Sequence, residues 1–246
     1  MGHSLLEFQN LIYTTSTAAD DNLSFSWGKE EDVIKNRGEF LTKLGIKPEE
    51  CVGMSLCHGD QVKVVGRAQC GTCMLGPESC LTADALVTKD TNVFLFLLTA
   101  DCLPVAYYDQ IQQVIALAHL SWINTGKNLA GKVVNVMNKQ FNSRPVDIIV
   151  SIGPHIHKES YEHNHPEQKE DPNWQPFIEK LPNEQFLIDM LSYNRKNLLA
   201  EGILGGNLNI SEINTYTSPD YFSHYRSKRT GEPEGRFATV LGVRQS

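Results

Sequence analysis

Val114-Ile-Ala-Leu-Ala118, then Lys127-Asn-Leu-Ala-Gly-Lys-Val-Val-Asn-Val-Met-Asn-Lys-Gln-Phe141, then Val146-Asp-Ile-Ile-Val-Ser-Ile152: these consecutive runs decide the fold class. The outer two are short, branched and apolar, as strands buried on both faces are. Between them Leu129, Ala130, Val133, Val134, Met137 and Phe141 share one helical face. Strand, helix, strand is the pattern of a parallel crossover, and it predicts an α/β chain.

The same alternation extends outward. Residues 93–98 form another buried apolar run. Residues 30–44 carry Val33, Ile34, Phe40, Leu41 and Leu44 at helical spacing, and Gly45 follows as a stop. A further helix is expected over residues 183–199, with Leu187, Met190, Leu191 and Leu198 on one side and Gly202 near its end. Residues 155–176 are polar, rich in His, Glu and Pro, and without period, so they read as a long surface loop. With no internal repeat and no dividing linker, residues 1–246 are expected to form a single domain.

A chain of 246 residues, 41% hydrophobic, can bury roughly 70% of the surface its unfolded form exposes. The net charge of -7 is spread along the chain, and no basic run could neutralise successive phosphates. A small-molecule partner is therefore expected, and nucleic acid is not. No apolar segment approaches the ~20 residues that cross a bilayer. The stretch Met1-Gly-His-Ser-Leu-Leu-Glu7 lacks a signal peptide's basic start and apolar run, and Leu6 stands where a myristoylation signal has Ser or Thr. A cytoplasmic chain without a membrane partner is the expectation.

Six cysteines in such a chain argue for metal-binding, reactive or buried thiols rather than a disulfide framework. Cys70-x-x-Cys73 with Cys80 lacks the second pair that a four-ligand zinc needs, and reads as a loop of free thiols or one redox-labile pair. His155-x-His157 and His163-x-His165 suggest a metal-binding tract by composition alone, and their loop is read as solvated.

Cys102 and His119 each fall at the end of an apolar run, in Leu98-Thr-Ala-Asp-Cys102 and Leu117-Ala-His119. Strand ends are where α/β proteins gather reactive groups. If the two strands are neighbours, a thiol and an imidazole share one rim, where a metal or a nucleophile–base pair becomes possible. The residues alone also allow a buried small hydrophobe and a hydrogen-bonded structural histidine.

An ordered set of motifs decides between these. Cys57-His58-Gly59, Asp84-Ala-Leu-Val-Thr88, Thr99-Ala-Asp-Cys-Leu-Pro-Val105, Ala118-His119 with Trp122, and Gly153-Pro-x-Ile156 with Tyr161-Glu162 occur in sequence. Asn36-Arg37, Asp189, Asn194, Phe222-Ser-His-x-x-Arg and Gly235-Arg236 add to it. From about residue 25 to 243 the chain resembles the laccase-domain, or polyphenol-oxidase-like, family of purine nucleoside phosphorylases.

The resemblance implies an α/β layered sandwich, a mixed β-sheet core flanked by helices. It also implies a zinc site of His58, Cys102 and His119. Two imidazoles and a thiolate suit tetrahedral zinc, and a vacant fourth position suits catalysis. The implied reactions are phosphorolysis of adenosine, inosine, guanosine or methylthioadenosine and deamination of adenosine, with phosphate as co-substrate. Asp101 is a candidate to orient a ligand or substrate, or to cap a turn. Arg226 and Arg236 are candidate phosphate-holding cations, and Asn36 and Arg37 candidate substrate contacts.

The sequence departs from the family where Leu120-Ser121-Trp122-Ile123-Asn124 replaces a Gly-Trp-Arg-Gly pattern, losing both glycines and a cation. Tyr225-Arg226 replaces an arginine pair, and Tyr216-Thr217 a Cys-Thr pair. Competing readings are a multicopper oxidase, a metal-free Cys–His hydrolase or amidase with Cys102 as nucleophile and His119 as base, and a non-catalytic binding protein. Copper is the lesser expectation, because several coppers would need more paired histidines than one unpatterned loop offers.

Overall fold

A computed structural model describes residues 4–245; residues 1–3, part of the stretch read above for a leader, and residue 246 lie outside the described residues. The chain runs through β1 (Leu11–Thr15), α1 (Glu30–Lys43), β2 (Cys51–Ser55), β3 (Val62–Val64), β4 (Leu81–Thr82) and β5 (Ala85–Thr88). Then come β6 (Phe94–Thr99), β7 (Leu103–Asp109), β8 (Val114–Leu120), α2 (Trp122–Gly126), α3 (Leu129–Phe141) and β9 (Ile148–Ile152). β10 (Glu162–His163), β11 (Ile178–Lys180), β12 (Phe186–Ile188), α4 (Met190–Ala200), β13 (Leu208–Ile210), α5 (His224–Thr230) and β14 (Phe237–Val243) follow.

Two mixed sheets, ordered β1-β14-β6-β2-β4 and β13-β9-β7-β8-β5-β3, carry the fold, and β10-β12-β11 form a small third. β8 and β9 are each antiparallel to β7 and so parallel to one another. The expected crossover through α3 is present, and it passes over one intervening strand.

Alternation along the strands sorts the side chains into layers. On β6, Leu95 and Leu97 join a core shared with Leu86, Ile115, Leu117 and Ile149 of the other sheet, while Phe94 and Phe96 pack with Phe40 and Leu41 of α1. On β8, Val114, Ala116 and Ala118 pack with Val133, Val134 and Met137 of α3. The result is four layers: α1, the five-stranded sheet, the six-stranded sheet, and α3 with α4. The sandwich of mixed sheet and helices is as expected, with two stacked sheets where one was read.

Local chemistry supports the helices. Glu30, Glu31 and Asp32 open α1 and Lys43 closes it, matching its dipole. Asn128 caps α3 by accepting from Gly131 N, and Asn142 ends it in the left-handed region.

Two expectations change. The first part of the helix read over 183–199 is strand β12, and Asp189 starts α4 by accepting from Ser192 N at 2.8 Å. Residues 155–176 are only partly a surface loop, since His155, Ile156 and Trp174 are buried. Trp174 stands edge-on to Tyr193 of α4 with ring centroids 4.6 Å apart, so this segment contributes to the core it was expected to cover.

Gly242 on β14 is paired with Phe94 on β6, whose ring lies directly over it, so a Cβ there would collide with Phe94 Cδ1. Gly242→Ala is expected to cost about 1–3 kcal/mol through overpacking. The check is a lower urea midpoint with an unchanged m value.

Candidate active site

Strand parity brings the site together. Ile115 and Leu117 of β8 face the layer between the sheets, so His119 falls on the same side at the end of the strand. On β5, Leu86 has that side, and Asp84 two residues earlier continues it. His119 N donates to Asp84 O at 2.8 Å, extending the Ala85–Ala118 register by one pair. On β7, Ala106 and Tyr108 have that side, and Pro104 and Cys102 continue it. Pro104 is paired with His119, so Cys102 arrives beside the imidazole.

The route differs from the one expected. The run ending before Cys102 is β6, which belongs to the other sheet; the neighbour of β8 is β7, which begins just after Cys102. Asp101, with φ 83, makes the left-handed turn at which the chain passes between sheets.

Asp84 organises the cluster. Its carboxylate accepts from His119 Nδ1 at 3.1 Å, His58 N at 3.0 Å, Gly59 N at 2.7 Å and the Cys57 thiol at 3.0 Å. His58 takes φ 53, the left-handed region that turns its own N–H and that of Gly59 onto the carboxylate. Burial opposes ionisation of Asp84, yet the hydrogen bonds from His119, Cys57 and Gly59 hold it far below the usual carboxylate range.

Burial also opposes charge on His119, but the neighbouring Cys102 and Asp84 outweigh it and raise the imidazole to about 9. The Cys102 thiol lies close enough to this ring to interact by hydrogen bond and by charge. His58 is shifted the other way, lowered by burial and by the nearby His119 and Arg236. The rings of His58 and His119 stand 5.1 Å apart at 84°.

The donor types of these residues suit zinc, and the His58–His119 ring separation matches two imidazoles on one ion. Two imidazoles on one tetrahedral zinc, each bound at about 2.0–2.1 Å, have ring centroids roughly 5 Å apart. With Nδ1 of His119 clamped by Asp84, Nε2 is the atom left to bind, and binding there would displace its proton. Among the described residues no group of three or more His, Cys, Asp or Glu side chains is positioned so that it could hold a metal ion.

His58 lines a cavity of about 300 Å³ with Phe25, Trp27, Arg37, Leu98 and Arg236. The Cys73–Cys80 disulfide forms part of its wall, so the Cys70-x-x-Cys73 spacing is not the one used. Arg236 lies over the Trp27 ring at 5.2 Å, and its hydrogen bonds run through Nη1 to Glu234 and the Gly235 carbonyl.

The remaining candidates are turned toward the fold. Arg37 is buried, donating to the carbonyls of Leu23, Cys73 and Met74 between the Phe25 and Phe96 rings. Asn36 donates to the Asn22 carbonyl at 3.1 Å. Arg226 donates to the carbonyls of Thr215, Tyr216, Ser218 and Tyr221 and pairs with Glu232. Asp101 accepts from Thr215 Oγ1 and from Tyr225 N, both at 2.7 Å, and so holds the start of α5. The carboxylate that orients an imidazole is Asp84, whose place immediately before a buried strand was the available signal.

The departure at 120–124 has a local logic. Ser121 N donates to Asn124 Oδ1 at 2.7 Å in a capping box for α2, and Asn124 Nδ2 returns to the His119 carbonyl at 2.8 Å. These bonds tie the turn to the backbone behind His119.

The family described as multi-copper polyphenol oxidoreductase laccase matches residues 13–244. Purine nucleoside phosphorylase YlmD of Bacillus subtilis (strain 168) is 26% identical over 230 residues, covering 89% of this chain and 80% of its own length. Purine nucleoside phosphorylase YlmD of Geobacillus stearothermophilus is 30% identical over 227 residues, covering 87% of this chain and 80% of its own. The crystal structure of YlmD from Geobacillus stearothermophilus superposes with a TM-score of 0.87 at 25% identity, over 97% of this chain and 93% of that one. By the extent of these matches the chain belongs to the multi-copper polyphenol oxidoreductase laccase family.

Proposed function

We propose that this protein cleaves purine nucleosides with phosphate at a centre where His58, Cys102 and His119 hold a zinc ion, and that the same centre deaminates adenosine. The observation that carries this reading is the meeting of a thiol and two imidazoles over one buried carboxylate, with His58 opening onto a cavity. The relatives named purine nucleoside phosphorylase support the substrate class.

In phosphorolysis a phosphate oxygen attacks the anomeric carbon, the bond to the purine nitrogen breaks, and its electron pair leaves with the base, which takes up a proton. Arg236 would hold the phosphate: it lines the cavity beside His58, and its guanidinium is anchored through Nη1 by Glu234 and Gly235. Trp27 and Phe25 offer flat apolar faces for a purine ring. Asp84 fixes the orientation of His119 by holding its Nδ1 proton. A zinc ion bound by the three donors would supply a Lewis acid to this site. For deamination, water adds to the purine carbon bearing the amino group and ammonia departs.

Incubation with adenosine and phosphate, followed by chromatography, tests the reading. Adenine with ribose 1-phosphate reports phosphorolysis, and inosine or hypoxanthine reports deamination. Cys102→Ala is expected to form none of these, and wild-type protein that does no better than this variant would overturn the proposal. Elemental analysis should find zinc near one equivalent, while copper near stoichiometry would favour an oxidase.

The contact between Cys102 and His119 also favours a second reading, a metal-free Cys–His hydrolase. Alkylation of Cys102 in metal-free protein together with activity insensitive to chelators would select it.

A further inference from the structure

The cavity beside His58 has a covalent bond in its wall. Cys73 and Cys80 both line it, with Phe25, Trp27 and Arg236, and their disulfide closes residues 73–80 into a ring. Cys51, Cys57, Cys70 and Cys102 are free thiols.

One end of the ring is fastened to the fold. Gly71 N donates to Cys51 O at 2.8 Å and Gly53 N to Thr72 O at 3.0 Å, and a Cβ on Gly53 would come within 3.0 Å of Cys73 Cβ, so Cys73 lies directly on β2. That strand leads through Leu56 and Cys57 to His58. Arg37 donates to Cys73 O at 2.6 Å. Cys73 also holds φ 64, a left-handed conformation that is costly for a residue with a Cβ. At the other end Cys80 adjoins β4 and is half-buried. Between them Leu75, Pro77, Glu78 and Ser79 are exposed, and among the described residues the hydrogen bonds of 75–79 stay inside the ring, as from Cys73 N to Ser79 Oγ at 2.9 Å. The sulfur–sulfur bond thus joins two ends of a segment that has no other hydrogen-bonded attachment between them.

We propose that the Cys73–Cys80 disulfide is a redox switch on the nucleoside cavity: oxidised, it holds the wall in its binding shape, and reduced, it releases residues 74–80 and weakens nucleoside binding. The ligand half of this inference rests on the function proposed above. The reductant is a dithiol. One of its thiolates attacks the half-buried Cys80 sulfur, Cys73 leaves as a thiolate and takes up a proton, and the second reductant thiol then displaces Cys80 in the same way. The S–S bond is broken, two electrons and two protons have passed to the protein, and the reductant is left as a disulfide.

The test takes wild-type protein before and after dithiothreitol, and a Cys73→Ser, Cys80→Ser double variant treated alike. Alkylation under denaturing conditions, read peptide by peptide, should label Cys73 and Cys80 of the wild type only after reduction. Cleavage after Glu78 by a glutamate-specific protease reads the ring directly, because a protease takes an extended strand that so short a closed ring does not present. Reduction should speed this cut at least about tenfold, the order by which closing a short loop restricts the open chain. The KM for adenosine should rise at least about threefold, because a loosened wall must be ordered again on binding. The double variant should match reduced wild type in both readouts and ignore dithiothreitol. Cleavage or KM unmoved by reduction of the wild type would overturn the proposal, and so would a response to dithiothreitol that the double variant shares, which would place the effect at Cys102. Cleavage that responds while neither redox form turns over a nucleoside supports the switch in the wall and counts against the function proposed for the site, so the two failures are distinguishable.

Discussion

Asp84→Ala is expected to lose about 3–5 kcal/mol of folding stability and all detectable turnover. The side chain is fully buried, and its carboxylate is the common acceptor for His119, His58 N, Gly59 N and the Cys57 thiol. Removing it leaves the buried Nδ1–H of His119, two backbone N–H groups and the Cys57 thiol without their acceptor. Asp84→Asn keeps the shape but replaces an oxygen that only accepts with an NH₂ that donates into other donors. Its loss should be smaller in stability and nearly as complete in turnover. Urea unfolding and the adenosine–phosphate assay measure the two, and an Asp84→Ala protein of wild-type stability would sink this account of the cluster.

Acid should reveal the same group. The folded pKa of Asp84 lies below its ordinary value, so its stabilising increment is full above about pH 4 and is lost as pH falls toward the folded value. Below about pH 4 the wild type should lose stability more steeply than Asp84→Asn, which has no carboxyl to protonate.

Arg37→Ala is expected to cost about 3–5 kcal/mol and to raise KM more than it lowers kcat. Arg37 is 2% exposed, and its guanidinium lies between Phe25 and Phe96, with its carbon 4.1 and 5.2 Å from their ring centroids. It donates to Leu23 O at 2.8 Å and to Cys73 O at 2.6 Å. Those carbonyls belong to segments that carry Phe25, Trp27 and the Cys73–Cys80 disulfide into the wall of the cavity beside His58. Arg37 therefore acts on a ligand by holding that wall. Arg37→Lys keeps the charge but not the fork, and should fall between alanine and wild type. Thermal unfolding and steady-state kinetics decide it: a variant with wild-type Tm and an unchanged KM would contradict the role.

Residues 30–43, 94–99, 114–120, 129–141 and 148–152 were legible as helices and strands because hydrophobic period is a local property, set by which side chains share a face. The ordered motifs pointed to His58, Cys102 and His119 by family resemblance rather than by period. Leu103–Asp109 was hidden, since Pro104 interrupts it in sequence and only its place between β8 and β9 shows it to be a central strand. The two stacked sheets, the arrival of Cys102 beside His119 through β7, the clamp at Asp84 and the backbone-bound fork of Arg226 were decided by tertiary structure alone. Each depends on which strands pair and which turns face one another, and those contacts join residues far apart in the chain, where no local period can record them.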